Sequence, residues 1–282
     1  MRPYVFAGGT AVVTGAGSGI GEALAHGLAA RGSHLVLVDR FADRLDRVAS
    51  DLAVRHPGAR VTTVVADLAD HEATVALGRR LAAEHPETTL LVNNAGVALG
   101  GDLAELSLAE FDALLEVNLH AVVSLTHGLL PVLLGRPGSH VVVVSSIFGI
   151  AAAPSQTPYV TSKFAVRGFG ESLRHELAGR VGVTVVHPGG VATRIATDAT
   201  VAAGADAAAF AEVRERIGRV LRIPPAAAAE AILRGVRRRR GRVLIGVVTA
   251  RLPDLLVRVL PGSYGRLLGL AAGTRADPRR PR

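Results

Sequence analysis

The sequence predicts an α/β fold in which seven parallel strands form one doubly wound sheet with helices on both faces. Apolar runs of strand length alternate with longer amphipathic stretches along most of the 282 residues. The runs are apolar at successive positions, which is typical of strands buried on both faces. Strand and helix follow one another from about residue 8 to residue 247, and this order favours right-handed crossovers within a single domain.

The patterns place seven strands and six helices. The strands are expected at 10–14 (TAVVT), 34–39 (HLVLVD), 61–67 (VTTVVAD), 89–94 (TLLVNN), 140–146 (HVVVVSS), 182–188 (GVTVVHP) and 242–247 (RVLIGV). The helices are expected at 20–31, 43–55, 71–85, 108–134, 158–179 and 226–239. The segment SLAE predicts a capping box at the fourth helix, with Ser107 as the N-cap and Glu110 at the third helical position.

Residues 248–282 follow a different pattern and are predicted to be a helical extension of the 1–247 domain. Pro261 and Gly262 separate two short apolar-faced helices, and a disordered basic end follows. We expect the apolar stripe of these helices to be buried on the same domain or on a second copy of the chain. Peripheral contact with a membrane surface is the alternative. The stripe consists of Leu255, Leu256, Val259, Leu260, Leu267, Leu268 and Leu270.

The net charge of +8 is concentrated in two arginine clusters, at 237–240 and at the C-terminus. They supply four and three charges respectively, so the remainder of the chain is nearly neutral. We interpret the clusters as a solvated helix end and a frayed terminus. Because aromatic residues make up only 4% and the sequence has no nucleic-acid-reading motif, we expect no nucleic-acid partner.

Other features of the composition bound the function further. The chain has no cysteine, which excludes disulfides and thiolate metal sites. Its ten histidines show no ligand spacing of the H-E-x-x-H kind, so we expect no metal. The N-terminus has no signal-peptide pattern and we expect no membrane-spanning helix, so the chain is predicted to be soluble and cytoplasmic.

The segment TGAGSGIG (14–21) lies where the first strand meets the first helix. In a Rossmann-type fold, this turn binds the pyrophosphate of a dinucleotide through free backbone N–H groups and the helix dipole. Gly15 would permit the tight turn, Gly19 the close approach of the phosphates, and Gly21 the packing of the helix on the strand. The spacing is G-x-x-x-G-x-G rather than G-x-G-x-x-G, so the prediction also depends on the position in the fold.

Asp39 ends the second strand, 18 positions after Gly21. A carboxylate there would accept hydrogen bonds from the adenosine ribose and repel a 2′-phosphate, so NAD is favoured. Arg40 follows directly and could pair with such a phosphate, which leaves NADP possible. Asp67 closes the third strand, where it could reach the adenine or serve as an ordinary strand-end acid.

Tyr159 and Lys163, the only lysine of the chain, are four residues apart on the predicted 158–179 helix and share one face. A phenol with a pKa near 10 needs that pKa to fall by about 3, or about 4 kcal/mol, to carry protons near neutral pH. An ammonium about 4 Å away at an effective dielectric of about 20 supplies roughly that much. We therefore predict that Lys163 lowers the pKa of Tyr159, and an ordinary surface pair is the alternative.

Ser146 lies 13 residues before Tyr159, at the end of the predicted strand 140–146. The carboxyl ends of parallel strands share one edge, so its hydroxyl is expected in the crevice beside the glycine turn, where it could bond a substrate oxygen. Asn118 lies among apolar residues in LLEVNLHAVV, and a buried amide needs partners. It is either a structural amide or part of a water-linked proton path that ends at Lys163.

Together these residues resemble the classical short-chain dehydrogenase/reductase family over about 8–247. The matching segments are TGAGSGIG, Asp39, Asp67-Leu68, NNAG (93–96), Asn118, Ser146, YVTSK (159–163) and PGGVAT (188–193). The resemblance implies an NAD(P)-dependent oxidoreductase with a catalytic tetrad. In it Tyr159 is the acid/base, Lys163 holds the ribose, Ser146 positions the substrate oxygen and Asn118 anchors the relay.

The resemblance also implies which residues bind the cofactor. They are Gly15, Ser18, Gly19, Ile20, Gly21, Asp39, Arg40, Asp67, Leu68, Asn94, Ala95, Gly96, Tyr159, Lys163, Pro188, Gly189, Val191 and Thr193. One departure from the family is Ala121, where a glycine is common. We expect a homodimer or a homotetramer, because the family commonly assembles through its last strand.

The substrate is predicted to lie over the segments that follow Ser146 and Thr193, with 194–222 as a mobile lid. Most side chains there are small and apolar, which favours an uncharged, hydrophobic secondary alcohol or ketone. The predicted pocket residues are Ser146, Phe148, Tyr159, Gly190 and Phe210. The alternatives are a reductase of 3-oxoacyl thioesters and a non-catalytic nucleotide-sensing protein on the same fold.

Overall fold

The computed structural model describes residues 1–195 and 197–265. Its strands are β1 Thr10–Thr14, β2 His34–Asp39, β3 Val61–Val65, β4 Thr88–Asn93, β5 Leu99–Gly100, β6 His140–Val144, β7 Gly182–Pro188, β8 Thr200–Val201 and β9 Arg242–Ile245. Seven of them form one parallel sheet in the order β3-β2-β1-β4-β6-β7-β9. The short strands β5 and β8 pair with each other. The predicted fold class is confirmed.

Helices cover both faces of the sheet. They are α1 Gly19–Ala29, α2 Ala42–Arg55, α3 His71–Glu84, α4 Leu108–Leu115, α5 Ala121–Leu134, α6 Thr157–Glu176, α7 Ala207–Val220, α8 Pro225–Arg237 and α9 Leu252–Val259. One core lies between the sheet and α1, α2 and α8, and the other lies between the sheet and α3, α5 and α6. Alternate residues of the central strands enter each core, which explains why their sequences are apolar throughout.

The strand order reverses between β1 and β4. Connections that leave these two strands diverge, and they leave a crevice at the carboxyl ends of the sheet. Gly15 directly follows β1, Asp39 ends β2, and Ser146 follows β6 by two residues. The fold therefore brings three separate predicted site segments to one edge.

The predicted 108–134 helix is present but changes its winding in the middle. The π-helical turn Glu116–His120 joins α4 to α5, and Ser107 and Glu110 form the predicted capping box. This is the one helix in the described part of the chain that is long and apolar enough to cross a membrane by length and composition, and the expectation that no helix spans a membrane stays a prediction. Its inner face, including Leu125 and Leu129, lies in the core against the sheet.

The predicted lid contains two elements that periodicity did not predict. β8 pairs with β5, and backbone hydrogen bonds extend this contact from Thr200 to Ala98 (3.1 Å) and from Ala202 to Gly100 (2.9 Å). The helix α7 follows. The segment is therefore joined to the loop after β4 by main-chain bonds, which a search for long apolar runs does not detect.

The first predicted C-terminal helix is present as a π-helical turn, Val247–Arg251, followed by α9. The second, with Leu267, Leu268 and Leu270, lies outside the described residues. No residue of α9 is buried. The expected burial of Leu255, Leu256 and Val259 on the same domain is therefore wrong for the part of the chain that the structure describes.

The interpretation of 237–240 as a solvated helix end also needs a correction at one residue. Arg239 has a φ of +54°, and its guanidinium donates to the carbonyl oxygens of Gly138 and Ser139 and contacts Nδ1 of His140 at 3.0 Å. It also lies over the Tyr4 ring, 5.1 Å from the centroid. Arg239 therefore bonds the backbone at the amino-terminal end of the sheet rather than facing solvent.

Candidate active site

The turn between β1 and α1 has the tight backbone that its glycines predict. Gly15 and Gly19 have φ values of +65° and +57°, in the left-handed region that favours glycine. A β-carbon on Gly21 would collide with the carbonyl oxygen of Gly15, so α1 begins directly against the turn. The side chain of Ser18 does not cap α1. The turn therefore leaves amides of the first helical residues to bind an anion.

Asp39 joins the end of β2 to this turn. Its two carboxylate oxygens accept hydrogen bonds from the backbone N–H groups of Gly17 (2.8 Å) and Phe41 (3.1 Å). The guanidinium groups of Arg40 and Arg44 lie 4.6 and 4.0 Å from the centroid of the Phe41 ring. A fixed carboxylate and two cations thus lie at the same corner of the crevice.

The segment NNAG after β4 braces the turn from the other side. The hydroxyl of Thr14 accepts hydrogen bonds from the N–H groups of Asn94 and Ala95, each at 3.0 Å. The Asn94 side chain donates to the carbonyl oxygens of Thr14 (3.0 Å) and Gly15 (3.3 Å). These bonds fix the glycine turn relative to β4.

Ser146, Tyr159 and Lys163 meet where β6 ends and α6 begins, and all three are buried. The Ser146 hydroxyl accepts the backbone N–H of Phe148 at 3.1 Å, and its interaction with Tyr159 acts to lower the pKa of the phenol. The Lys163 ammonium lies 5.5 Å from the centroid of the Tyr159 ring and donates to the carbonyl oxygen of Val144 at 3.3 Å. A β-carbon on Gly96 would lie 3.2 Å from this ammonium, so glycine there leaves room for the lysine.

Asn118 lies in the π-helical turn and is held entirely by protein groups. Its Oδ1 accepts the N–H of Val97 (2.8 Å), and its amide donates to the Val97 carbonyl (3.0 Å) and to the Ser162 hydroxyl (3.1 Å). Ser162 in turn donates to the carbonyl oxygen of Tyr159 at 2.7 Å. These bonds give Asn118 a structural role, and a water-linked path from it to Lys163 stays a prediction.

Burial moves the two titratable groups of the site in opposite directions. It raises the pKa of Tyr159 to about 12, and the hydrogen bond with Ser146 opposes that rise. It lowers the pKa of Lys163 to about 8. The net shift is upward because burial dominates, so the predicted fall of the Tyr159 pKa towards neutral pH is wrong for this structure. The phenol has lost its water, and the ammonium lies over the ring rather than at the hydroxyl.

His187 supports Ser146 from β7. Its Nδ1–H donates to the backbone carbonyl of Ser146 at 3.0 Å, while its Nε2 is buried without a hydrogen-bond partner. Burial lowers the pKa of His187 to about 4, so the ring is neutral near pH 7. A neutral imidazole thus fixes the backbone of the residue whose hydroxyl contacts Tyr159.

A small apolar cluster covers Tyr159 on its open side. Leu99 and Leu114 are buried with the tyrosine, and Phe148 and Ile195 pack against them. The rings of Phe148 and Tyr159 meet edge to face, with centroids 6.2 Å apart. Phe148 therefore packs against Tyr159 within an apolar cluster, and contact of Phe148 with a substrate stays a prediction.

Phe210, the other predicted bulky pocket residue, belongs to α7 and lies on β5. A β-carbon on Gly100 would overlap its ring, so the aromatic side chain occupies the space that this glycine leaves. Leu99 of the apolar cluster is the neighbouring residue. In this arrangement Phe210 anchors the lid to β5, and contact of Phe210 with a substrate stays a prediction.

The comparison with known families decides the identity of this fold. A model of the short chain dehydrogenase family matches residues 9–203, which include the glycine turn and all four tetrad residues. The chain belongs to the short-chain dehydrogenase/reductase family. It is an oxidoreductase of that family, as the motifs predict.

Relatives cover nearly the whole chain. The Mycobacterium tuberculosis oxidoreductase SadH is 39% identical over 271 residues, which are 95% of this chain and 96% of SadH. Dehydrogenase/reductase SDR family member 7B of Bos taurus is 32% identical and covers 96% of this chain, which in turn covers 83% of that protein. A Burkholderia phymatum short-chain dehydrogenase/reductase solved with NAD superimposes with a TM-score of 0.77 at 28% identity, covering 99% of both chains.

The nicotinamide dinucleotide fits the residues present in this short-chain dehydrogenase/reductase. The uncapped start of α1 suits a pyrophosphate, and the carboxylate of Asp39 at the end of β2 suits a ribose. Thr193 lies across the turn, because a β-carbon on Gly19 would be 3.2 Å from its side chain. NAD and NADP each occur in solved members of the family, so these comparisons leave the preference between them open.

The segment after β7 is built into the sheet. The N–H of Gly189 donates to the carbonyl oxygen of Ile245 (3.0 Å), and the carbonyl oxygen of Gly190 accepts from the N–H of Ile223 (3.0 Å). Val191 is buried, and Pro188 is the last residue of β7. These predicted cofactor residues are thus held by main-chain bonds to β9 and to the segment before α8.

The remaining predicted cofactor residues lie at the edges of the site. Ile20 is buried in the core beneath α1, and Leu68 is buried after β3. Asp67 caps its own loop, since one carboxylate oxygen accepts the N–H of Ala69 at 3.0 Å. This bond is the ordinary use of a strand-end acid, and contact between Asp67 and adenine stays a prediction.

Sequence reasoning missed several residues that organise this site: Thr14, Gly17, Ser162 and His187. Ser162 carried a signal, because it lies three residues after Tyr159 on the same helix. Thr14 is the last residue of β1 and directly precedes Gly15. Each of the four residues also bonds a partner far away in the sequence, and only the packed fold shows these bonds.

The structure also brings three possible metal ligands together, a grouping that the search for H-E-x-x-H spacing did not find, and the expectation of no metal stays a prediction. His71 of α3 and His120 of the π-helical turn contact the two carboxylate oxygens of Glu116 at 3.2 and 2.9 Å. Their ligand atoms all lie within 4.8 Å of one another. The four-residue spacing of Glu116 and His120 was the sequence signal that could have indicated this cluster. The mutual hydrogen bonds already account for this partly exposed cluster, and we assign it no role in hydride transfer.

Proposed function

We propose that this chain is an NAD(P)-dependent oxidoreductase that interconverts a secondary alcohol and the corresponding ketone, with Tyr159 as the acid/base. The observation that carries the proposal is that Ser146 and Tyr159, both buried, interact through their side chains next to an apolar cluster that includes the tyrosine. Two adjacent hydroxyls can bond one substrate oxygen together. The lining of Phe148, Leu99 and Leu114 favours an uncharged, hydrophobic substrate.

The proposed mechanism divides the work between these two hydroxyls. The nicotinamide, when bound, supplies or accepts the hydride at the substrate carbon. Ser146 donates a hydrogen bond that holds the substrate oxygen beside the phenol. Tyr159 gives its proton to that oxygen during reduction and takes it back during oxidation. The apolar cluster keeps water from the transferred proton.

Lys163 supplies the positive charge that the phenolate needs. Its pKa is lowered only to about 8, so the ammonium form dominates at neutral pH. An ammonium 5.5 Å from the ring centroid stabilises a buried phenolate more than it stabilises the neutral phenol. The same group would hold the nicotinamide ribose. Its task is thus to make the deprotonated state of Tyr159 accessible during turnover.

The cofactor is proposed to be NAD in preference to NADP. Two backbone N–H groups hold the Asp39 carboxylate in place, where it would accept hydrogen bonds from the ribose hydroxyls and repel a 2′-phosphate. Arg40 and Arg44 supply nearby positive charge that could favour the phosphate. We expect Asp39→Ala to raise the ratio of kcat/KM with NADP to that with NAD. An unchanged ratio would contradict the assignment of Asp39.

The decisive experiment is a spectrophotometric panel of secondary alcohols, ketones and 3-oxoacyl thioesters with both cofactors. We expect turnover of free hydrophobic alcohols or ketones, and Tyr159→Phe is expected to reduce kcat by about 10²- to 10⁴-fold while cofactor still binds. The control is Tyr4→Phe. Tyr4 is also buried and its hydroxyl bonds that of Thr89 at 2.8 Å, so Tyr4→Phe removes the same group at a residue outside the proposed tetrad.

The outcomes separate the competing functions. Activity confined to the thioesters would favour a 3-oxoacyl-thioester reductase. Cofactor binding without turnover of any compound would favour a nucleotide-sensing protein. Equal activity in Tyr159→Phe and Tyr4→Phe would overturn the role of Tyr159.

A further inference from the structure

The helix α9 presents an apolar stripe to solvent. Val248, Leu252, Leu255 and Val259 are 73%, 57%, 58% and 65% exposed. Their spacing of four, three and four residues places them on one face of a helix. Exposed apolar residues usually occur singly, and a continuous row of them indicates a binding surface. We call these four residues the α9 stripe.

Basic residues flank the α9 stripe. Residues 234–265 contain eight arginines and one acidic residue, Asp254. Arg251 and Arg258 are exposed and seven residues apart, so they form a parallel row beside the stripe. Arg238, Arg240, Arg242 and Arg251 line one surface depression between the end of α8 and the start of α9. The apolar row and the positive charge therefore belong to the same face of the molecule.

This face is fixed to the domain and its orientation follows from its contacts. Arg242 of β9 pairs with Asp254 of α9 at 2.6 Å, and both side chains are largely buried. The Thr249 hydroxyl donates to the carbonyl oxygen of Gly189, which follows β7. The stripe lies on the side of the helix that faces away from these contacts, so it points outward from a fixed helix.

The positive charge distinguishes between two possible partners of the α9 stripe, a second copy of the chain and a membrane surface. A twofold dimer brings the same surface of each copy together, so it would place one arginine-rich face against another. An anionic lipid surface offers phosphate groups for the arginines and an apolar phase for the stripe. Nucleic acid matches the charge but offers no apolar phase for Leu252 and Leu255. We infer that the α9 face docks this short-chain dehydrogenase/reductase peripherally on an anionic membrane.

The test is co-sedimentation of the full chain with vesicles. One set contains phosphatidylcholine alone, and the other contains equal parts of phosphatidylcholine and phosphatidylglycerol. We expect binding to the anionic vesicles that weakens with added salt. Leu252→Ser/Leu255→Ser is expected to weaken that binding at least about tenfold, because two apolar side chains no longer enter the bilayer. Arg251→Gln/Arg258→Gln is expected to weaken it as well, through the charge alone.

The matched control is Val54→Ser/Leu108→Ser. These residues are also exposed, each at 81%, and lie on α2 and α4 away from the α9 face. The control should bind vesicles like the wild type, and all variants should keep the wild-type circular dichroism. Three results would overturn the inference: no binding to anionic vesicles, unchanged binding in Leu252→Ser/Leu255→Ser, or loss of a wild-type dimer in that variant by light scattering.

Discussion

The floor of the active site and the helix α9 distribute polar and apolar residues in opposite ways. Asn118 and Lys163 are polar and buried beneath the crevice, whereas Leu252 and Leu255 are apolar and face solvent. Buried polar groups destabilise a fold unless they are bonded, and exposed apolar rows promote association. Both regions therefore contain residues whose placement is unfavourable unless a partner compensates it, and both lie where we propose binding.

The two regions differ in what compensates the unfavourable placement of these residues. The amide of Asn118 bonds the backbone of Val97 and the hydroxyl of Ser162, and the Lys163 ammonium bonds a carbonyl oxygen. Within the described residues, no side chain of the protein buries the α9 stripe. The buried polar groups beneath the crevice thus find their partners inside the fold, whereas the α9 stripe requires an external partner. Substitutions should accordingly affect folding at the floor and association at α9.

The largest effect on stability is expected at Asn118. Asn118→Leu keeps the size of the side chain but leaves the N–H and the carbonyl oxygen of Val97, both part-buried, without that partner. We expect the free energy of unfolding to fall by about 3 kcal/mol, since each orphaned group costs about 1–3 kcal/mol. Urea unfolding measures it. The control is His120→Gln, on the same turn but partly exposed. Equally small losses of unfolding free energy in both variants would contradict the expected difference between the buried residues beneath the crevice and the surface.

The pH dependence should reveal the buried lysine. Burial lowers the folded-state pKa of Lys163 to about 8 from an ordinary 10.5, so between these values the unfolded chain binds more protons. Stability from this group therefore rises with pH through that window. We expect a gain of about 2 kcal/mol between pH 8 and 10, relative to Lys163→Met. Parallel stability curves for the wild type and the variant would show that Lys163 is not desolvated.

The smallest effect on stability is expected at α9. Leu252→Ser/Leu255→Ser should change the free energy of unfolding by no more than about 0.5 kcal/mol without vesicles, because neither side chain is buried. Urea unfolding, at protein concentrations where the chain is monomeric, measures this change in free energy. A loss as large as that of Asn118→Leu would show that the stripe is covered in solution, and the contrast between the two regions would then disappear.

Most of the framework could be predicted because its signals are local. The strands β1, β2 and β7 have the predicted bounds, since an apolar run and its flanking turn are both visible in a short window. The pairing of β5 with β8 could not be predicted. Each strand has two residues, and the partners are about a hundred positions apart in the chain.

The candidate site was predictable in its residue types but not in its electrostatics. Helical spacing placed Tyr159 and Lys163 on one face, and strand ends placed Asp39 and Ser146 at one edge. The sign of the Tyr159 pKa shift was predicted wrongly. It depends on how completely the phenol is desolvated and on where the ammonium points, and both follow from packing.

The sequence by itself determined the order of strands and helices, the glycine turn and the chemical groups available at the crevice. These follow from periodicity and from the conformational freedom of glycine, which act over a few residues. Only the tertiary structure decided that Asn118 bonds Val97, that Arg239 bonds the backbone at the end of the sheet and that α9 exposes its apolar face. Burial and hydrogen bonding depend on neighbours brought together by folding, and their distance along the chain hides them from any local pattern.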